Sequence, residues 1–274
     1  MTCKLAESPP QVLRRGEHAV ATLSWDQPCT GCNELGYRRV FEDGAARLQA
    51  CEGLYARRRI ELFNRARIPA RFASADFGSF SVGSNTNLQD AHGTCSSWSL
   101  SYLPGNPEAR PGIILSGPPG VGKTHLLVAI LRRLTLDKGI PCAFTDHVEL
   151  VQTIKAGWDK GHGSGDLLET LATIEVLLID DLGQGQASEW NRTLIDTLVT
   201  RRYNAGLATL ATTNFALELS PEEKRKVFGD QGARTDNLSE RVGGRVVSRL
   251  IGGAQILSVR SRDFRRRSPE FEDR

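Results

Sequence analysis

An apolar run that feeds a glycine-rich turn and then a helical pattern constrains a fold more than any other stretch here. It spans residues 113–124: Ile113, Ile114, Leu115 and Ser116, then Gly117, Pro118, Pro119, Gly120, Val121, Gly122, Lys123 and Thr124. The spacing is Gly117, four residues, then Gly122-Lys123-Thr124, which is that of a phosphate-binding loop, the Walker A pattern. The chemistry needs this arrangement because backbone N–H groups must converge on phosphate oxygens, and glycine lets the chain wrap that closely. The helix that starts inside the motif adds the positive end of its dipole. Lys123 is placed to reach the β- and γ-phosphates of ATP, and the Thr124 hydroxyl to ligate Mg²⁺. The candidate nucleotide-binding set runs from Gly117 to His125.

Downstream the pattern alternates strand and helix. Strands are predicted at 112–116, 140–145, 175–180, 207–212 and 254–259, and helices at 122–137, 146–157, 165–173, 188–204 and 237–250. The strand runs are short, apolar and unalternating, as parallel strands buried on both faces are. Helical crossovers between them give right-handed βαβ units, so the fold class is α/β with a doubly wound parallel sheet of five strands.

The run from Glu175 to Ile179 ends in Asp180 and Asp181, the Walker B pattern. Carboxylates at the C-terminal end of a central strand face the ligand crevice of such a sheet. Asp180 is the candidate Mg²⁺ ligand and Asp181 the candidate general base for an attacking water. The plain alternative for paired acids at a strand end is a helix N-cap. Thr212-Thr213-Asn214 follows the run 207–211. Asn214 at that tip suits a polar group orienting water or γ-phosphate, the sensor-1 role; the alternative is an Asx turn. In the predicted helix 237–250, Arg241, Arg245 and Arg249 recur every four residues and share one helical face. Such a row suits bridging to a neighbouring subunit's phosphates as an arginine finger; the alternative is a solvated basic face.

The N-terminal part reads differently. Residues 1–28 are polar and loop-like, with Arg14 and Arg15 in a short helix. Cys29 and Cys32 form a Cys-x-x-Cys pair, and a hairpin over 37–50, turning at Asp43-Gly44, returns Cys51 to it. Three thiolates suit Zn²⁺, which wants a fourth ligand; Cys3 and His18 are the candidates, and a set of free thiols is the equal alternative. Residues 54–67 form a basic amphipathic helix, fit for nucleic acid or a partner protein or simply solvated outside its packed face. From 73 to 111 the composition shifts to Ser, Gly, Asn and Pro, with a short helix between Gln89 and Trp98. The expected organisation is therefore a module at 1–72, a linker at 73–111, the phosphate-binding domain at 112–267 and a tail at 268–274.

Bulk properties exclude rather than identify. A net charge of +3 over 274 residues says little about partners. No apolar run approaches the ~18–20 residues of a membrane span, and the first residues lack an apolar signal core, so a cytoplasmic protein is expected. Six cysteines are then thiols or metal ligands, not a disulfide framework.

The residues 117–126, 178–183, 212–214 and 248–250 resemble the AAA+ ATPases of the DnaC/DnaI helicase-loader and IstB transposition-helper group. The cysteine leader, the stretch from Leu62 to Phe72 and Asp263-Phe264-Arg265 are also similar to that group. The resemblance implies an AAA+ P-loop ATPase acting in DNA replication. Its implied partners are a replicative helicase held by the N-terminal module, single-stranded DNA, and further copies of itself or a related AAA+ subunit. It implies Arg249 as the arginine finger, with Arg245 second. It also implies that the segment Asp146–Asp159 lines DNA, with Lys155 pairing to phosphate and Trp158 stacking on a base; packing of Trp158 on the sheet is the alternative. Two other functions fit the same motifs, a transposition helper and a non-hydrolysing nucleotide-gated adaptor. The basic tail through Arg260, Arg262 and Arg265–Arg267 adds DNA affinity or is a charged end.

Overall fold

The computed structural model describes residues 10–22, 37–42, 44–50, 52–105, 112–159, 165–217, 237–261 and 263–264. The chain divides into two compact units, Met1–Ser74 with Leu131–Cys142, and Ala75–Ile130 with Ala143–Arg274. The cysteines of the expected zinc knuckle, Cys3, Cys29, Cys32 and Cys51, lie outside the described residues. Cys95 and Cys142 are buried free thiols, and burial pushes Cys95 up to about 12.

In the first unit, β1 (Gln11–Arg15) pairs antiparallel with β2 (His18–Thr22) across a turn at Gly16, whose φ is 56°. The short helix expected at Arg14 and Arg15 is therefore a strand. A left-handed glycine between two short runs closes a hairpin, and both arginines project from its exposed strand. A second hairpin joins β3 (Tyr37–Glu42) to β4 (Ala45–Ala50) in the register Phe41↔Ala46 and Arg39↔Leu48. That register puts Tyr37, Arg39, Phe41 and Leu48 on one face. Helix α1 (Glu52–Arg65) buries Phe63 and is followed by buried Ala66 and Ile68. The outer edge of β2 is satisfied by this stretch: Ala21 N–H donates to Asn64 Oδ1 at 2.7 Å and Ala19 N–H to Ile68 O at 2.8 Å. An edge strand without such partners would leave its N–H groups unmet.

The second unit opens with α2 (Thr86–Ser101), a full helix inside the stretch expected as a linker. Asn85 caps it by accepting from Leu88 N–H. The central sheet contains β5 (Ile113–Ser116), β6 (Cys142–Asp146), β7 (Val176–Asp180), β8 (Ala208–Thr213) and β9 (Gln255–Ser258). Its order is β6-β7-β8-β5-β9, with the β7/β8, β8/β5 and β5/β9 pairs parallel. The helices are α3 (Lys123–Arg132), α4 (His147–Asp159), α5 (Gly165–Thr173) and α6 (Glu189–Asn204), then α7 (Leu238–Val242) and α8 (Gly244–Gly253). Every residue of β7 and β8 is buried, which accounts for the unalternating apolar run of β7; β8 buries three threonines as well.

The single helix expected over 237–250 is broken. Gly243 takes a φ of 96°, a left-handed conformation at the residue linking α7 to α8. A helix cannot run through it, so Arg241 does not share a face with Arg245 and Arg249. Among the described residues, no helix is long and apolar enough to cross a membrane.

At the start of α4, His147 is 4% exposed, and its ring nitrogen Nδ1 is buried without a hydrogen-bond partner. Burial lowers its pKa from 6.5 to about 4, Asp146 opposing and Arg241 adding to the effect. The folded state therefore resists protonation of this ring, while the unfolded state accepts it at the ordinary value. Stability is full above pH 6.5 and declines as the pH falls toward 4. Urea titrations across that window are expected to show the decline and to show it flattened in His147→Gln; an unchanged slope in the variant rejects the assignment.

Candidate functional site

The sheet order sets the site. β8 lies between β5, which feeds the glycine-rich loop, and β7, which ends in Asp180. The tips of three adjacent strands thus converge at their C-terminal ends, where open α/β sheets place ligands. Lys123, 5% exposed, donates to Gly117 O at 2.8 Å, to Pro118 O at 2.7 Å and to Asn214 Oδ1 at 2.8 Å. Asn214 Nδ2 donates in turn to Asp181 Oδ1 at 3.1 Å. One amide therefore spans from the loop's lysine to the second acid. Thr124 Oγ1 donates to Asp180 Oδ1 at 2.8 Å, and Thr212 Oγ1 donates to the same oxygen at 2.6 Å. Thr212 Oγ1 also accepts from Asp181 N–H at 2.9 Å.

The loop is gripped from two sides. Gly120 has a φ of 79°, and a Cβ there would lie 1.8 Å from Asp263 Oδ1. Phe264 N–H donates to Gly120 O at 3.0 Å. Gly122 has a φ of 91°, and a Cβ there would lie 2.5 Å from the Phe80 ring. Phe80 also meets His125 edge-on, with centroids 5.3 Å apart, and stacks on His92 at 5.9 Å. His125 Nε2 contacts Asp76 O at 2.9 Å and Ser79 Oγ at 3.2 Å. His125 therefore holds the segment before α2 over the loop.

Asp181 sits at a φ of 50°, a left-handed conformation that Asp tolerates better than most residues. Asp146, at the end of β6, accepts from Val148 and Glu149 N–H groups as a helix cap. Asp146, Asp180 and Asp181 each present an oxygen within 4.8 Å of the others. Hard oxygen donors at this density, beside the Thr124 hydroxyl, fit Mg²⁺.

Lys123, Thr124, Asp180, Asp181 and Asn214 are thus brought together, with Gly117–Gly122 beside them. Arg249 and Arg245 are not. Arg249 Nη1 pairs with Asp196 Oδ1 at 3.2 Å, and Arg245 Nη2 lies 3.9 Å from Asp196 Oδ2. Arg249 borders a small hollow with Tyr203, Leu207 and Thr209, beside the start of β8 rather than its end. Lys155 is exposed on α4. Trp158 is 58% exposed and meets Trp190 edge-on at 5.6 Å, so it does not pack on the sheet.

Thr212, Asp146, Phe80 and Asp263 were not expected as members of the site. Asp146 carried a usable signal, since it is a carboxylate directly after a predicted strand, as Asp181 is. Asp263 stands out only as part of the family-like Asp263-Phe264-Arg265 stretch, with no site role, and Phe80 carried no signal, because the placement of both depends on how distant segments dock.

The family model of the IstB-like ATP binding protein matches residues 54–269. The YqaM protein of Bacillus subtilis (strain 168) is 30% identical over 159 residues, which is 56% of this chain and 50% of that protein. The replicative helicase loader DnaC of Escherichia coli (strain K12) is 29% identical over 119 residues, 43% of this chain and 46% of the loader. The chain spans about half the length of these curated relatives. The crystal structure of the DnaC helicase loader superimposes with a TM-score of 0.57 at 32% identity, covering 69% of this chain and 99% of that one. The crystal structure of DnaI, at 19% identity and a TM-score of 0.53, shares the fold. The glycine-rich loop, the acids at the end of β7 and the AAA+ sheet order all lie within the matched stretch, and the chain belongs to the IstB-like ATP binding protein family.

Proposed function

We propose that this protein is an ATPase that loads a replicative helicase onto single-stranded DNA. The observation that carries the ATPase reading is the hydrogen-bonded chain Lys123–Asn214–Asp181, which ties the phosphate-binding lysine to the acid beside the crevice. The Gly117–Gly122 backbone cradles the phosphates. Lys123 neutralises the charge on the β- and γ-phosphates, exchanging its carbonyl partners for phosphate oxygens. Thr124 and Asp180, with Asp146 nearby, hold Mg²⁺, which when bound supplies charge neutralisation on the phosphate oxygens. Asp181 takes the proton of a water attacking the γ-phosphorus as ADP leaves, and Asn214 fixes that carboxylate and the water. Lys123→Ala is expected to abolish ATP binding, and Asp181→Asn to leave binding intact while lowering turnover by about 10²-fold or more. Retained affinity in the first variant sinks the site, and unchanged turnover in the second leaves a nucleotide-gated adaptor.

Hydrolysis is completed by Arg249 of a neighbouring copy. The Arg249–Asp196 pair beside the start of β8 supports this, since it holds the guanidinium away from its own chain's phosphate site. Mixing Arg249→Ala with Lys123→Ala subunits is expected to restore turnover that neither variant has alone. Failure to complement removes the trans assignment.

The loader reading rests on the likeness to the DnaC structure and on surfaces suited to two partners. In the first unit, Phe41 is 72% and Leu48 75% exposed on one hairpin face, flanked by Tyr37 and Arg39. Apolar side chains this exposed on a two-stranded hairpin suit burial against a protein partner. On α4, Lys155 and exposed Trp158 suit the backbone and bases of a single strand. Co-purification with the replicative helicase is expected, and loss of it in the double variant Phe41→Ser, Leu48→Ser. Absence of the complex in the parent protein, with ATP turnover intact, favours a transposition helper. The N-terminal cysteines remain assigned either to Zn²⁺ or to free thiols, which metal analysis of the purified protein decides.

A further inference from the structure

Arg241 was grouped on sequence with two arginines that face α6. The break at Gly243 sends it elsewhere. Its Nε donates to Gly183 O at 2.9 Å, and its Nη2 donates to Gly185 O. Its guanidinium also lies over the Phe215 ring, 5.2 Å from the centroid. Gly183 and Gly185 belong to the turn that leaves Asp181, and Phe215 follows Asn214 directly. One side chain therefore grips the turn after the second acid and the residue after the amide that binds it.

The turn needs such a grip. Asp181, Gly183 and Gly185 all have positive φ, at 50°, 89° and 82°. Gln184 N–H donates back to Asp181 O at 3.0 Å, closing a tight loop. A left-handed Asp is strained and persists only where its surroundings hold it. α7 supplies those surroundings. A Cβ on Gly183 would lie 2.8 Å from Leu238 Cδ1 and 3.1 Å from the Phe215 ring, so α7, Phe215 and the turn are packed without slack. Leu238 N–H donates to Ala216 O at 2.8 Å, which anchors α7 to the segment leaving β8. The planar guanidinium, forked to two carbonyls and stacked on an aromatic face, is a linkage that Lys cannot reproduce.

We propose that Arg241 is a positioning residue for hydrolysis, acting within its own chain: it fixes the Asp181 carboxylate against Asn214, so that the water is held in line. This rests on the reading of Asp181 as the group that accepts the water's proton. It separates Arg241 from Arg249, which serves a neighbour.

The test uses the full chain and compares Arg241→Ala, Arg241→Lys, Asp181→Asn and the double variant Arg241→Ala, Asp181→Asn. Affinity for ATP, steady-state turnover and the thermal midpoint are measured for each. Arg241→Ala is expected to lower kcat on the order of 10- to 100-fold with ATP affinity unchanged, as a misplaced catalytic group does. Arg241→Lys falls between, and serves alone should the alanine variant not fold. In the Asp181→Asn background, Arg241→Ala is expected to cost no further turnover, because its effect passes through Asp181. Wild-type turnover in either Arg241 variant, or additive losses in the double variant, overturns the proposal. Turnover unaffected by Asp181→Asn instead overturns the reading beneath it, and the two failures are read separately.

Discussion

The buried carboxylate of Asp180 is the constraint on which the phosphate end of the sheet depends. It is 1% exposed at the tip of the interior strand β7. A carboxylate taken out of water must be met by donors, or it destabilises the fold by several kcal/mol or protonates. Two hydroxyls meet it, from Thr124 at the start of α3 and from Thr212 near the end of β8. The same oxygen therefore fixes the helix that follows the glycine-rich loop against the neighbouring strand. Because β8 lies between β5 and β7, no other strand end could bring Asn214 between Lys123 and Asp181. The alignment of lysine, amide and acid follows from placing one buried carboxylate, met by two hydroxyls at Oδ1, within one strand order.

The loop itself is held by packing from outside its motif. Its fixed spacing explains Gly117 and Gly122 but is silent on Gly120. The structure requires glycine at that place for two reasons, a left-handed φ and the Asp263 carboxylate against its Cα. Gly122 is likewise covered by Phe80. A segment before the sheet and one after it close on the loop from different sides, so its conformation depends on chain 183 residues apart, between Phe80 and Asp263. The cover over Gly122 carries its own anchor, the contacts of His125 with Asp76 and Ser79.

What was legible in the sequence follows the same division. β7 was readable because it is buried on both faces and runs Val-Leu-Leu-Ile into Asp180, while β8, equally buried, carries threonines among its apolar residues and leaned on the β-branched pattern. The loop, Asp180, Asp181 and Asn214 were readable because their chemistry depends on local spacing and strand ends. α2 was only partly readable: its Ser-, Thr- and Gly-rich sequence has a weak apolar stripe. It is held by its Asn85 cap and by amides of Asn85 and Asn87 reaching the backbone at Arg260 and Ser258. The hairpin at Gln11–Arg15 and His18–Thr22 was missed because one glycine makes its turn and its partners, Asn64 and Ile68, lie far along the chain. The row of arginines misled for a sharper reason. Spacing by four implies a shared face only while the helix continues, and Gly243 ends it.

That break also divides the work among the arginines. The C-terminal ends of the strands carry the phosphate site, and their N-terminal ends are pinned by Arg202. This fully buried side chain donates to Leu171 O, Ile174 O, Ala208 O and the Thr209 hydroxyl. Arg249 sits at this second end, beside Leu207 and Thr209. From Thr209 to Asn214 the chain advances five residues of strand, roughly 17 Å at about 3.3 Å each. A guanidinium held by Asp196 at one end cannot span that length to reach phosphates at the other. Arg241 faces the opposite situation: α7 docks on the turn leaving β7 and on Phe215, at the phosphate end itself. The distance along one strand thus separates an arginine docked at the phosphate end of its own chain from one held by Asp196 at the opposite end.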